Sequence, residues 1–188
     1  MKVLIGCEFS GTVRDAFRRL GHEAWSCDLL PDEKNSSYHI QTDVRKLLNE
    51  GWDLGIFFPP CTHLCVSGAR WFKDKQKIQQ DALDFVSRLM ISSIPKIAIE
   101  NPIGIISSKI RKPDQIIQPY EYGHNEQKAT CLWLKNLPKL KPTKIMKERI
   151  QKIHLMSPGP LRSKERSRTY GGIAEAMARQ WGEIECLV

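Results

Sequence analysis

Short apolar runs that stop abruptly at polar or proline-containing turns alternate with helix-patterned segments along the first hundred residues. The run 2–6 leads into the loop 7–11, after which apolar residues recur at helical spacing as far as Gly21. A second apolar run, 23–28, follows this helix and ends in an acidic residue. This order of strand, helix and strand predicts an α/β fold, with a mostly parallel sheet covered by helices on both faces.

The alternation continues through the next elements. The sequence predicts a short helix after Asp43, a buried strand over 53–58 and a long amphipathic helix over 74–91. Residues 96–100 form another strand of the buried type, which Asn101-Pro102 ends. Two predicted strands therefore end in polar, chemically useful residues.

The pattern changes beyond residue 109. Six prolines between 113 and 160 exclude long helices there, although 128–134 has the composition of a strand. Strong helix formers over 172–181 predict a closing helix. Because 188 residues suffice for one good core and are few for two, we expect a single domain over 1–188.

The positive charge of the chain is concentrated in one segment. The formal net charge is +8, and residues 109–168 contain fifteen Lys and Arg against five Asp and Glu. This concentration favours contact between 109–168 and a phosphate-bearing partner such as nucleic acid, and a solvated basic surface is the alternative.

The composition also indicates the cellular compartment of the protein. No apolar stretch approaches the ~20 residues that span a bilayer, and no secretion signal is evident. Six scattered cysteines in such a chain indicate reduced thiols. We therefore expect a cytoplasmic protein that is not bound to a membrane.

The triplet Pro59-Pro60-Cys61 follows the strand 53–58 directly. A cysteine held by two prolines at a strand end has little freedom to move, which suits a nucleophile. A zinc site is the competing interpretation, with ligands drawn from Cys61, His63, Cys65, Cys131 and His124. The chain lacks the second closely spaced pair of a structural zinc site, so we predict no metal.

Glu100 ends the next buried strand. Desolvation by its apolar neighbours should raise the pKa of this carboxyl, so that it can give a proton to a ring nitrogen. A carboxylate satisfied by nearby backbone N–H groups is the alternative. Because ligands of open α/β sheets bind at the carboxyl ends of the strands, Cys61 and Glu100 are expected to share a cleft.

The loop Glu8-Phe9-Ser10-Gly11 lies between the first strand and the first helix. A glycine lets the backbone approach a ligand, and a helix N-terminus offers N–H groups, so a small cofactor fits here. Asp28, about 20 residues further on, occupies the place of an acid that binds ribose hydroxyls. Packing at a tight turn and an exposed strand-end aspartate are the structural alternatives.

Taken in order, these residues resemble the DNA (cytosine-5)-methyltransferases, and more narrowly short methyltransferase-like proteins of bacteriophages and prophages. The matching residues are Phe9-Ser10-Gly11, Asp28, Asp43, Pro59-Pro60-Cys61, Glu100-Asn101 and Gly171 to Ala178 with Glu175. The resemblance implies a Rossmann-like fold that binds S-adenosyl-L-methionine (SAM), with contacts from Phe9, Ser10, Gly11, Asp28, Asp43, Pro59, Pro60 and Glu175.

The resemblance also implies a reaction. Cys61 would attack a cytosine as a thiolate, with its pKa brought toward neutrality by local positive charge and with Glu100 and Asn101 beside it. The substrate would be DNA foremost, with RNA or a free nucleotide as alternatives. The family's Gln-x-Arg-x-Arg motif is not found after Glu100, and Thr12-Val13-Arg14 replaces its later loop glycines. A SAM-binding and nucleic-acid-binding protein that is inactive or depends on a partner is therefore the second hypothesis.

Overall fold

The computed structural model describes residues 1–65, 76–151 and 166–183. The strands are β1 (Lys2–Gly6), β2 (Glu23–Asp28), β3 (His39–Gln41), β4 (Leu54–Phe57), β5 (Lys96–Pro102), β6 (Gln115–Ile117) and β7 (Thr130–Lys135). The helices are α1 (Thr12–Arg19), α2 (Gln76–Met90), α3 (Ile106–Lys109) and α4 (Gly171–Gly182), and single 3-10 turns cover Val44–Lys46 and Pro119–Glu121.

All seven strands form one sheet in the order β3-β2-β1-β4-β5-β7-β6. The pairs from β3 to β5 are parallel, and β7 is antiparallel to both β5 and β6. Because β7 runs against β5, its first residue lies at the edge where the parallel strands end, with Thr130 opposite Pro102. The segment before β7 thus reaches the edge at which the predicted site residues cluster.

Both faces of the sheet are covered. Helices α1 and α4 pack against each other and against one face, where Ile5, Ile56 and Leu132 lie in the core. Helix α2 belongs to the core on the opposite face, together with residues such as Phe57 and Trp133. This burial on both faces explains why the central strands read as continuous apolar runs.

The predicted α/β architecture is confirmed. The strands at 2–6 and 23–28 have the expected bounds, and the long helix lies over Gln76–Met90, with 74 and 75 outside the described residues. The helix expected after Asp43 is only a 3-10 turn. The three-residue edge strands β3 and β6 were missed, because three residues are too few to show a period.

A buried arginine ties α1 to β2. Arg14 is 1% exposed, and its guanidinium donates to the Ser26 hydroxyl at 2.9 Å and to the Asp32 carboxylate at 2.7 Å. It also pairs with Asp15 at 2.9 Å. Gly11 has a φ of 64°, and a Cβ there would lie 2.1 Å from the same guanidinium. The loop glycine is therefore required by packing, whatever else it binds.

Candidate active site

Nearly all of the residues proposed for the site lie where parallel strands end. The loop 7–11 follows β1, Asp28 ends β2, Pro59-Pro60-Cys61 follows β4, and Glu100-Asn101 lies at the end of β5. The order of the strands reverses here: the chain runs from β1 outward to β2 and β3 and then returns to β4 on the other side of β1. In open α/β sheets, ligands bind beside such a reversal, at the carboxyl ends of the strands.

The turn that holds Cys61 is fixed from two sides. The carbonyl oxygen of Cys61 accepts the backbone N–H groups of Leu64 and Cys65, both at 3.0 Å, so the chain makes one helical turn after the prolines. The amide of Asn101 donates to the carbonyl oxygen of Pro59 at 2.7 Å inside the protein. Asn101 therefore positions the Cys61 turn against the end of β5.

Cys61 and Glu100 lie close enough to interact electrostatically. Burial raises the pKa of the Cys61 thiol, and the neighbouring Cys65 and the negative charge of Glu100 raise it further. Burial also raises the pKa of the Glu100 carboxyl, in the direction expected from its apolar surroundings. The structure therefore places the Cys61 thiol and the Glu100 carboxyl near each other, after the ends of the neighbouring strands β4 and β5.

The ionisation of Cys61 differs from our expectation. Local positive charge was expected to bring the pKa of this thiol toward neutrality, but the pKa is raised above its ordinary value. Among the residues that the structure describes, desolvation outweighs the favourable charge of Lys128. At neutral pH the free protein therefore holds Cys61 mainly as a thiol.

Two residues of this cleft, Lys128 and Thr130, were missed from the sequence. The charge of Lys128 and a hydrogen bond from Thr130 both oppose the rise in the pKa of Glu100. Their only sequence signal was the alternation Lys-Ala-Thr at the start of a predicted strand. Without knowledge that β7 is antiparallel to β5, that alternation did not indicate the site.

The first loop uses its own carboxylate to cap α1. Glu8 is buried and accepts the backbone N–H groups of Val13 at 2.7 Å and Arg14 at 3.2 Å. Ser10 contacts Thr12 through their hydroxyls at 3.1 Å, and the buried Phe9 accepts the N–H of Glu33 through its carbonyl oxygen at 3.0 Å. Two of the N–H groups at the start of α1, those of Val13 and Arg14, are thus occupied by Glu8 and do not face a ligand.

Replacing Glu8 with glutamine should flatten the dependence of stability on pH. Burial raises the pKa of Glu8 to about 7, so the folded state binds a proton that the unfolded chain releases above about 4.5. The contribution of Glu8 to the free energy of unfolding should therefore fall by at most ~3 kcal/mol as the pH rises from 5 to 8. Urea midpoints of Glu8→Gln and wild type across that range measure the difference, and parallel curves would show that Glu8 does not titrate there.

Asp28 and Asp43 both lie near the thiol of Cys7, the residue after β1. Burial has the largest effect in raising the pKa of the Cys7 thiol, and both carboxylates raise it further. Asp28 accepts the N–H of Leu30 at 2.9 Å. Hydrogen bonds from Arg45 hold the pKa of Asp43 at about 2, so Asp43 stays ionised.

Glu175 is not brought into this cleft. It lies on the outer side of α4, where its carboxylate is 3.6 Å from the guanidinium of Arg19 and both side chains are exposed. The neighbouring Ala174 and Ala176 are buried in the core, so helical periodicity turns residue 175 to solvent. The cofactor contact expected for Glu175 therefore has no support in the geometry.

The zinc interpretation gains no support from the part of the chain that the structure describes. Within it, no group of three or more His, Cys, Asp or Glu side chains could hold a metal ion. His124 instead accepts the N–H of Gly172 at 3.0 Å, and Cys131 is buried within β7. Among the described helices, none combines the length and apolarity needed to cross a bilayer.

No protein-family model matches the chain, and no curated protein matches its sequence. The fold is similar to that of a crystal structure described as a candidate DNA modification methyltransferase encoded within a prophage of E. coli. The TM-score is 0.51 at 17% sequence identity, over 84% of this chain and 55% of that one. The chain therefore has the α/β fold of a methyltransferase and spans about half the length of this structural neighbour.

Proposed function

We propose that the protein is a SAM-dependent methyltransferase that transfers a methyl group to C5 of cytosine in nucleic acid, DNA foremost, through a covalent adduct at Cys61. The observation that carries the proposal is the interaction of Cys61 with Glu100 at the carboxyl edge of a sheet of methyltransferase type. The printed description of the structural neighbour points to the same class of reaction and substrate.

The residues around the first loop fit SAM better than a phosphate-bearing cofactor. A dinucleotide would need the N–H groups at the start of α1, and Glu8 occupies those of Val13 and Arg14. SAM has no phosphate, and the carboxylate of Asp28 can accept hydrogen bonds from its ribose. Leu29, which is 71% exposed, offers an apolar surface beside Asp28 for an adenine ring.

The chemistry assigns distinct roles to the two strand-end groups. Cys61 loses its proton and its sulfur forms a bond to C6 of the cytosine, while the protonated Glu100 stabilises N3 and makes C5 nucleophilic. SAM, when bound, supplies the methyl group as an electrophilic sulfonium. After transfer, water accepts the proton of C5, the electron pair of that bond re-forms the double bond between C5 and C6, and the sulfur of Cys61 leaves as a thiolate. Asn101 contributes by holding the Cys61 turn.

Exposed basic residues near the cleft support nucleic acid as the partner. The backbone N–H of Ile150 donates to Asn125, and Gln127 donates to Ile150, so the chain around Arg149 runs beside the residues that precede Lys128. We propose that residues 109–168, within one domain of 1–188, contact the phosphate backbone. The two strands of this segment, β6 and β7, belong to the sheet itself.

A trapping experiment tests the reaction. DNA containing 5-fluorocytosine, incubated with the protein and SAM, should give a covalent complex, because fluorine at C5 cannot leave as a proton and elimination stops. Mass spectrometry should locate the adduct on Cys61. Binding of SAM without any adduct would instead support the second hypothesis, a protein that binds without catalysis, which the raised pKa of Cys61 favours.

A further inference from the structure

We propose that Lys128 is the cation of this active site, a positioning residue that stabilises the thiolate of Cys61 and that residues 166–172 hold in place. The inference deepens the proposed function and rests on it for its catalytic meaning. It also assigns a positive group to a site whose family arginine motif is missing from the sequence.

The register of β7 brings the residues that precede it to the end of β5. Thr130 lies opposite Pro102 and Leu132 lies opposite Glu100, so Thr130 and Glu100 project from the same face of the sheet. The Thr130 hydroxyl has two acceptors in reach, the Glu100 carboxylate and the carbonyl oxygen of Lys128 at 3.0 Å. Lys128 lies two residues before Thr130, next to the end of β5, where Asn101 binds the turn that holds Cys61.

Three alternate residues of this segment bind the chain that leads into α4. His124 accepts the N–H of Gly172 at 3.0 Å, Glu126 accepts the hydroxyl of Tyr170, and the ammonium of Lys128 donates to the carbonyl oxygen of Arg166 at 2.8 Å. The Tyr170 ring lies 5.8 Å from the same ammonium. These contacts restrict a long, flexible side chain to one place.

The balance of charge around Cys61 gives Lys128 its effect. The described groups that act on the thiol are Cys65 on its own turn, Glu100 on β5 and Lys128 before β7. Cys65 and Glu100 both favour the protonated thiol, and only Lys128 among the three favours the thiolate. Removing its charge should therefore make the nucleophile harder to ionise, and removing that of Glu100 should make it easier.

The pH dependence of alkylation of Cys61 tests the assignment without SAM or nucleic acid. Iodoacetamide reacts with the thiolate, and peptide mass spectrometry separates Cys61 from the other cysteines. In Lys128→Met, the midpoint of the curve of alkylation rate against pH should lie about one pH unit above that of wild type. At a pH below both midpoints, alkylation should then be ~10-fold slower. Glu100→Gln should move it downward.

Two further variants separate charge from structure. Lys128→Gln keeps a donor for the carbonyl oxygen of Arg166 but lacks the charge. Its midpoint should therefore shift upward as in Lys128→Met, and it replaces that variant if Lys128→Met folds poorly. Lys128→Arg keeps the charge and should stay near wild type. An unchanged midpoint in Lys128→Gln would overturn the proposal.

The outcomes are distinguishable from those of the trapping experiment. A shifted midpoint without a 5-fluorocytosine adduct would leave Lys128 as the cation of a site that does another reaction. An adduct together with an unshifted midpoint would keep the methyltransferase and reject the role of Lys128.

Discussion

Serine at position 61 should abolish methyl transfer while the protein stays folded and still binds SAM. A hydroxyl ionises far less readily than a thiol, and an alkoxide leaves carbon poorly, so both the attack on C6 and the final elimination fail. We expect the rate to fall by at least ~10⁴-fold, which corresponds to ~5.4 kcal/mol in the activation barrier. Transfer of labelled methyl groups from SAM to DNA and RNA measures the loss, and calorimetry measures SAM binding.

The chain offers a matched control one helical turn away. Cys65 follows Cys61 on the same turn and interacts with its thiol, but it has no place in the proposed bond-making steps. Cys65→Ser should therefore keep the rate within about tenfold of wild type. Methyl transfer that survives in Cys61→Ser and disappears in Cys65→Ser would reverse the assignment of the nucleophile.

Methionine in place of Arg14 should cause the largest loss of stability in this fold. The substitution keeps most of the side-chain volume but leaves the Asp32 carboxylate, 3% exposed, without its cation. Ser26 loses a donor at the same time. Breaking a buried ion pair from one side costs about 3–5 kcal/mol, so the denaturation midpoint should move substantially.

Arg19 supplies the comparison on the same helix. Its side chain is 61% exposed and its contact with Glu175 spans 3.6 Å, so Arg19→Met should cost less than ~1 kcal/mol. Guanidinium chloride titrations of both variants test the explanation, with Arg14→Met/Asp32→Asn as a double variant that keeps an acceptor oxygen for the N–H groups of Lys34 and Ser36. The double variant should recover part of the loss, because no buried carboxylate then remains uncompensated. Equal losses in Arg14→Met and Arg19→Met would show that the buried network contributes little.

Local patterns determined a large part of this protein. Apolar runs and helical spacing located β1, β2, β4 and β5 together with the helices between them, because each period is short enough to be read within one element. The turn residues after those runs identified Cys61 and Glu100. General rules for parallel sheets then placed both at one edge, where the structure has them.

Contacts between distant segments decided the rest. The antiparallel pairing of β7 with β5 brings Lys128 and Thr130 to Glu100, and no local pattern specifies which strand a segment will pair with. Arg14 is charged and yet buried, and its partner Asp32 comes from a loop 18 residues away, which no pattern within α1 indicates.

The ionisation and exposure of side chains also depend on the tertiary structure, whereas the position of a residue at the end of a strand depends on the local sequence. The sequence by itself determined which residues end strands and which could carry chemistry, because those features depend on neighbours along the chain. Only the tertiary structure decided that Glu175 faces solvent and that the pKa of Cys61 is raised, because exposure and desolvation depend on everything that packs around a group.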